Sequence, residues 1–388
     1  MKLVRSALAV AVPAALAGAV IAGPAFGANP NPARTLTGLG AAPGGVAVDT
    51  VGHVYVGNVA TGPVSVFEPG FTIANPAKTL TGATSPFAVA VDTTSHVYVG
   101  IGGGTTVSVF DPGATTPNGA KTLTGLANPL GVAVDSSHHV FVANFNAGAV
   151  SVFEPGATVA NPAKTLAGLT YPMGIAFDSA NRVYVANYGG GTGTTVSVFE
   201  PGATLANPAR TLTGLTNPAG VAVDATNHVY VTNYAGGAGT TVSVFEPGAT
   251  TANPSKTLSG LTGPLGIALN SANVIYVANH RSGSTTVSVF DPLVANPGPS
   301  GTPKVKPRKK GKAKITWSAA AANGEPPSYA LQVSLPGKAW KTITTTPSLT
   351  FVGKVRNAKR GRTLFFRVIA QNSAGSGPAS NVTRATMK

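Results

Sequence analysis

The sequence predicts an all-β chain, a six-bladed β-propeller followed by a smaller β-sandwich. Three observations carry this. One phrase recurs six times, with its opening threonines at Thr35, Thr79, Thr122, Thr165, Thr211 and Thr257, a period of 43–46 residues. Each copy holds short runs rich in β-branched and aromatic residues, punctuated by Pro-Gly, Asn-Pro and glycine clusters, and repeated four-stranded units of this length are a propeller signature. After Pro292 the phrase stops, and the chain changes to a strongly basic composition.

The first 27 residues read as an export signal. Lys2 and Arg5 supply the positive end, Leu8–Ile21 the apolar run, and Ala25 and Gly27 the small residues before a cut. The run is short for a membrane span and is interrupted by Pro13 and Gly18. The mature protein is therefore expected outside the cell or in its envelope. The chain has no cysteine, so its stability must come from packing rather than disulfide staples.

Residues 28–292 form the repeat region. Each repeat offers four strand candidates, typified by KTLTGL, GVAVD, VYVAN and VSVF. These do not alternate cleanly between apolar and polar, which is the pattern of sheets covered on both faces. A TL strand precedes the first GVAVD, and none follows the last VSVF at Val287–Phe290. The N-terminal segment Arg34–Leu39 should therefore complete the last blade and close the ring, removing two exposed sheet edges. The pattern PxGVAVDxxxHVYVANxxxxxxVSVF resembles the NHL repeat of six-bladed propellers. That resemblance spans about residues 29–296 and implies a protein, RNA or small-ligand binder without choosing among them.

Spacing within the repeat separates a constrained side from a variable one. Asp to the aromatic of VYV is six residues in every copy, with Asn270 replacing Asp in the sixth. From the residue after VYVA to the first valine of VSVF the gap is 6, 6, 6, 9, 9 and 8 residues. Insertions in repeats gather on one face, often the binding face. On that face fall Phe145, Tyr188, Tyr234 and His280, with Arg281 beside them, and Tyr171, Asn128 and Asn217 from the turns leading into GVAVD. Repeats one and two offer only Val59 and Gly102, so the face is lopsided. Rings and amides around a concavity suit a glycan, a peptide or another small ligand; the alternative is that the rings only cover the mouth of the channel. Asp49, Asp92, Asp135, Asp178 and Asp224 are expected to begin tight turns. The histidines before VYV share one tolerant position, so no metal site is expected.

No GxSxG elbow, HExxH or Walker loop occurs, and the glycine-rich gaps join strands rather than open a helix. The repeats also resemble propeller lyases of the virginiamycin B lyase type, but those have seven blades and no acid–base pair can be matched here. No catalytic residue and no cofactor is expected.

Residues 293–303 read as a Pro/Gly linker and 304–388 as a second domain. AKITWSAA with Trp317, SYALQVSL with Tyr329, and TLFFRVIAQNSAGSGPAS resemble a fibronectin type III domain, which implies a seven-strand sandwich; Leu364 stands where that family usually places a tyrosine. The net charge of +15 is concentrated here, with 17 Lys and Arg against the single acid Glu325 from Gly301 to Lys388. Lys304, Lys306, Arg308, Lys309, Lys310, Lys312 and Lys314 suit a polyanion, whether an anionic cell-wall polymer or a membrane surface. Nucleic acid is disfavoured because no recognition helix or stacking aromatic pattern accompanies the charge. The functional expectation is a secreted, monomeric, non-enzymatic binding protein with an extracellular glycan, peptide or protein ligand. The alternatives are a propeller lyase or hydrolase acting on a sugar or lactone, and a purely structural envelope protein.

Overall fold

The computed structural model describes residues 31–281, 283–292, 299–320, 327–355, 358–372 and 375–388. The expected export signal, residues 1–27, lies outside them, as does most of the linker. Among the described residues no helix is long and apolar enough to cross a membrane. The chain is all-β and propeller-like.

Each repeat builds a three-stranded antiparallel sheet. In repeat four the inner strand is Pro172–Phe177, the middle Val183–Asn187 and the third Thr195–Phe199. The middle strand is buried at every residue, and the third at all but its first. The phenylalanine that ends each third strand, Phe67 through Phe290, is essentially inaccessible in all six copies. The inner strand of each repeat packs against that of the next, and the inner strand of repeat six packs against that of repeat one. The register demands near-contact of backbones at the third inner-strand position. A Cβ added at Gly131 would run into the Met173 carbonyl, and one at Gly266 into the Gly44 carbonyl.

The TL segments behave differently from expectation. Only the first forms a strand, Arg34–Leu36, which pairs with the third strand of repeat six as Thr35 opposite Ser288. The later copies make only isolated bridges, such as Leu80 opposite Val64. The reason is local. A 3₁₀ turn, capped by an asparagine such as Asn75 and in most copies opened by proline, sits directly before each later threonine and leaves too little extended chain for a ladder.

On one side of the ring the turn aspartates are structural. Asp224 Oδ1 accepts from the backbone of Thr226 and His228, and Oδ2 from His228 Nδ1 and the Tyr230 hydroxyl. His228 Nε2 meets Glu246, which also pairs with Lys256. Burial alone would raise the Asp224 carboxyl, but the hydrogen bonds from His228 and Thr226 outweigh it and hold the group at about 2.

The C-terminal unit has two sheets. Lys304–Arg308, Lys312–Thr316 and Thr350–Lys354 form one; Lys341–Thr346, Ser328–Ser334, Thr363–Asn372, Gly375–Ala379 and Thr383–Thr386 form the other. Between them Trp317, Tyr329, Leu331, Leu364, Phe366 and Val368 form one core.

Candidate functional site

The face opposite the aspartate turns is assembled by asparagines. Asn58, Asn144, Asn187, Asn233 and Asn279 end their middle strands and are buried. In Asn187, Oδ1 accepts from Thr170 N at 3.2 Å, and Nδ2 donates to Ser197 Oγ at 2.9 Å. The same pair of bonds ties Asn144 to Ala127 and Ser151, Asn233 to Thr216 and Ser243, and Asn279 to Thr262 and Ser288. The next residue then bonds through its backbone N–H to the turn leading into its inner strand: Phe145 to Asn128, Tyr188 to Tyr171, Tyr234 to Asn217, His280 to Gly263. Those turn residues have positive φ, 56° at Asn128, 48° at Tyr171, 44° at Asn217 and 57° at Gly263. Asn217 is buried, and the left-handed turn accounts for it. Asn128 does the same and also accepts from Gly103 N.

This scaffold brings the predicted rings into one crown. Centroid separations are 5.0 Å from Phe145 to Tyr171, 5.9 Å from Phe145 to Tyr188, 6.2 Å from Tyr188 to Tyr234, and 6.0 Å from Tyr234 to His280. Tyr171 lies at the outside, 44% exposed. Arg281 is exposed beside His280. The sequence reading did not include Phe87, whose ring meets His280 edge-on at 5.8 Å. Phe87 comes from an inner strand, where the other repeats carry Gly44, Leu130, Met173, Ala219 or Leu265. The departure at that one position was the signal that could have found it.

The rings rest on a floor. Met173, Ala219 and Leu265 are buried and pack with Phe87, Leu130, Phe145, Tyr188 and Tyr234. Below lies a cavity of about 110 Å³ lined by inner-strand residues such as Gly131, Gly174 and Ile267, none of them ionisable. The rings therefore both pack and present their outer edges.

His280 is the only described imidazole in this crown. Its Nδ1 is 3.0 Å from the Pro43 carbonyl. A carbonyl only accepts, so Nδ1 carries the proton and Nε2 is left as the lone-pair nitrogen of the neutral ring. Nε2 has no hydrogen-bond partner among the described residues. Burial lowers the His280 pKa from 6.5, outweighing the Pro43 and Ala42 carbonyls. The crown thus holds a neutral, tautomer-fixed imidazole at neutral pH. Tyr234 is shifted the other way, raised by burial and secondarily by Tyr188, so its phenol stays a donor. Among the described residues no cluster of His, Asp and Glu could hold a metal ion.

No protein-family profile matches the chain. Among solved structures, it is similar to a gluconolactonase from Xanthomonas campestris, with a TM-score of 0.51 and 14% identity over 69% of this chain and 97% of that one. It also matches the PQQ-bound aldose sugar dehydrogenase of Streptomyces coelicolor (TM-score 0.48, 14% identity, 69% of this chain and all of that one). A further match is the sixth fibronectin type III domain of human fibronectin type III domain containing protein 3 (TM-score 0.22, 23% identity, 24% of this chain and 87% of that one). The first of these shows the propeller-type fold. The expectation of a non-enzymatic binding protein is corrected by the first comparison, because the solved structure that shares this fold is an enzyme, a gluconolactonase. The sequence reading matched no acid–base pair in the repeat region; the structure sets the His280 imidazole against the Pro43 carbonyl. His280 and Pro43 are 237 residues apart, and their contact exists only once the last repeat meets the first.

Proposed function

We propose that the crown is the active site of a hydrolase acting on a lactone, the cyclic ester of a sugar acid. The observation that carries this is the neutral His280 imidazole, held by the Pro43 carbonyl with Nε2 left as the base. Nε2 takes a proton from water, and the hydroxide formed attacks the ester carbonyl. The tetrahedral intermediate collapses by breaking the ring C–O bond. His280 then returns its proton to the leaving alkoxide, giving the open hydroxy acid. The rings of Tyr188, Tyr234 and Phe87 offer apolar faces to the C–H side of a sugar ring, and the phenols offer donors to its oxygens. General base catalysis by a positioned histidine contributes roughly 10²–10⁴-fold. The fold shared with a gluconolactonase supports the same reading.

Around this site we infer a six-bladed propeller of the NHL kind over residues 28–292, closed by the N-terminal strand. A linker at 293–303 and a fibronectin type III domain at 304–388 follow, in a chain exported by its first 27 residues.

The test is acid release by the whole protein, followed in a pH-stat over aldonic acid 1,4- and 1,5-lactones. Hydrolysis above the spontaneous rate is expected, falling at least about 100-fold in His280→Gln. The rate should have an acid limb with its midpoint below 6.5, because the folded imidazole must be neutral to act and its pKa is lowered. A wild-type rate equal to the uncatalysed one across the panel, or full activity in His280→Gln, overturns the proposal.

A further inference from the structure

The C-terminal unit carries a cationic sheet face that the lactone chemistry does not use. Lys304, Lys306 and Arg308 alternate along one strand with Val305 and Pro307, and they are exposed while those two are half-buried. On the next strand Lys312 and Lys314 alternate with the buried Ala313 and Ile315. Lys354 ends the third strand, again exposed. Successive side chains on a strand point to opposite faces, so all six cations share the face turned from the core.

The register places them directly against one another. Lys306 is opposite Lys314, Arg308 is opposite Lys312, and Lys312 is opposite Lys354. Like charges at opposed positions destabilise a sheet, and among the described residues no acidic side chain pairs with these. Among the described residues every salt bridge is made within the repeat region, and Glu325, the single acid from Gly301 to Lys388, lies outside the described residues. The row continues beyond the sheet. Lys309 and Lys310, in the turn between the first two strands, share with Arg360 a concavity of about 950 Å³. That end is held together by backbone bonds from Val355 to Gly311 and from Gly361 to Met387.

We propose that this face binds a linear acidic polysaccharide, laid along Lys304, Lys306 and Arg308 with one end in the Lys309–Lys310–Arg360 concavity. Repulsion among aligned cations is relieved when an extended polyanion lies across them. Cations recur about 7 Å apart along a strand and about 5 Å apart across strands, comparable with the length of one sugar residue. The composition favours this occupant over two others. No aromatic side chain stands on the face to stack a base, as single-stranded nucleic acid requires. Its one exposed apolar residue is Val352, without the aromatic or leucine side chains that enter a bilayer. Lysines dominate over arginines, so the surface reads charge spacing rather than planar bidentate geometry.

The experiment uses the full chain and three probes: heparin as the acidic polysaccharide, a single-stranded oligonucleotide of matched charge, and vesicles of phosphatidylglycerol in phosphatidylcholine. Binding is measured as a function of salt. Heparin should bind tightest, with affinity falling as salt rises. Lys306→Gln, Lys312→Gln and Lys314→Gln together should weaken it at least about tenfold and lower the salt slope by roughly one per cation removed. A control triple, Lys338→Gln, Lys341→Gln and Arg384→Gln, removes the same charge from the other sheet and its adjoining turn and should change affinity less than about twofold, well below the per-contact salt effect. Equal loss in the two triples would mean that only net charge acts, and tighter binding of vesicles or oligonucleotide would mean a different partner; either result overturns the proposal.

Discussion

Truncating Leu36 to alanine tests the closure of the ring at the side chain on which it depends. Leu36 is 2% exposed and lies in a cluster with Leu39, Val46, Val56, Val287 and Val289, drawn from the N-terminal segment, repeat one and repeat six. Its backbone pairs with Val287, and the neighbouring Ala33 N–H donates to the Val289 carbonyl at 2.8 Å. The substitution removes about 2.4 kcal/mol of transfer energy at ~0.8 kcal/mol per buried CH₂ group. The residual cavity brings the total to about 3 kcal/mol, within the ~2–5 kcal/mol range of buried Leu→Ala changes. A unit of this size loses about 2–4 °C per kcal/mol, so the melting temperature should fall by about 6–12 °C. The assay is thermal unfolding by far-UV circular dichroism, read beside tryptophan fluorescence. Trp317 and Trp340 both lie in the C-terminal unit, so the fluorescence transition should stay in place while the dichroism transition drops. A dichroism shift below about 2 °C, or an equal shift in both signals, would refute the reasoning that the first strand completes the sheet of repeat six.

Three further substitutions probe the two faces of the ring. Asp224 titrates at about 2 in the folded protein against an ordinary 3.8. A lowered carboxyl contributes stability above the unfolded value that is lost as pH falls through the folded one, so this share, on the order of 2 kcal/mol, should disappear between about pH 4 and pH 2. Asp224→Asn should lower stability at pH 7 by about 2–4 kcal/mol, because the amide cannot accept from both His228 and Tyr230. It should also flatten the acid dependence; an unchanged urea midpoint at pH 7 would refute the account. On the other face, Tyr188→Ala and Tyr234→Ala should each destabilise by roughly 1–3 kcal/mol, since both rings rest on the Met173–Ala219–Leu265 floor, and each should also weaken lactone turnover. A destabilised variant with intact turnover would make the crown a structural lid.

Much of the repeat architecture was legible in the residues because it is local and repeated six times. A valine-rich run bounded by Pro-Gly and Asn-Pro reads as a strand wherever it occurs. The missing TL segment after Phe290 pointed to the pairing that Thr35 and Ser288 make. The crown positions were legible for the same reason, since Tyr188, Tyr234 and His280 follow an asparagine in a turn whose length varies. Other features were not legible in the residues. The shortening of the later TL segments to isolated bridges follows from a 3₁₀ turn competing for the same few residues. Phe87 enters the crown from an inner strand, where its ring reaches His280 across repeat one. The like-charged pairs on the C-terminal sheet depend on register, which a list of lysines does not contain. The setting of His280 is the clearest case. Sequence alone determines that His280 follows Asn279 in a loop. Only the closed ring sets that imidazole against the Pro43 carbonyl and buries it, because proton placement and desolvation depend on neighbours far away in the chain.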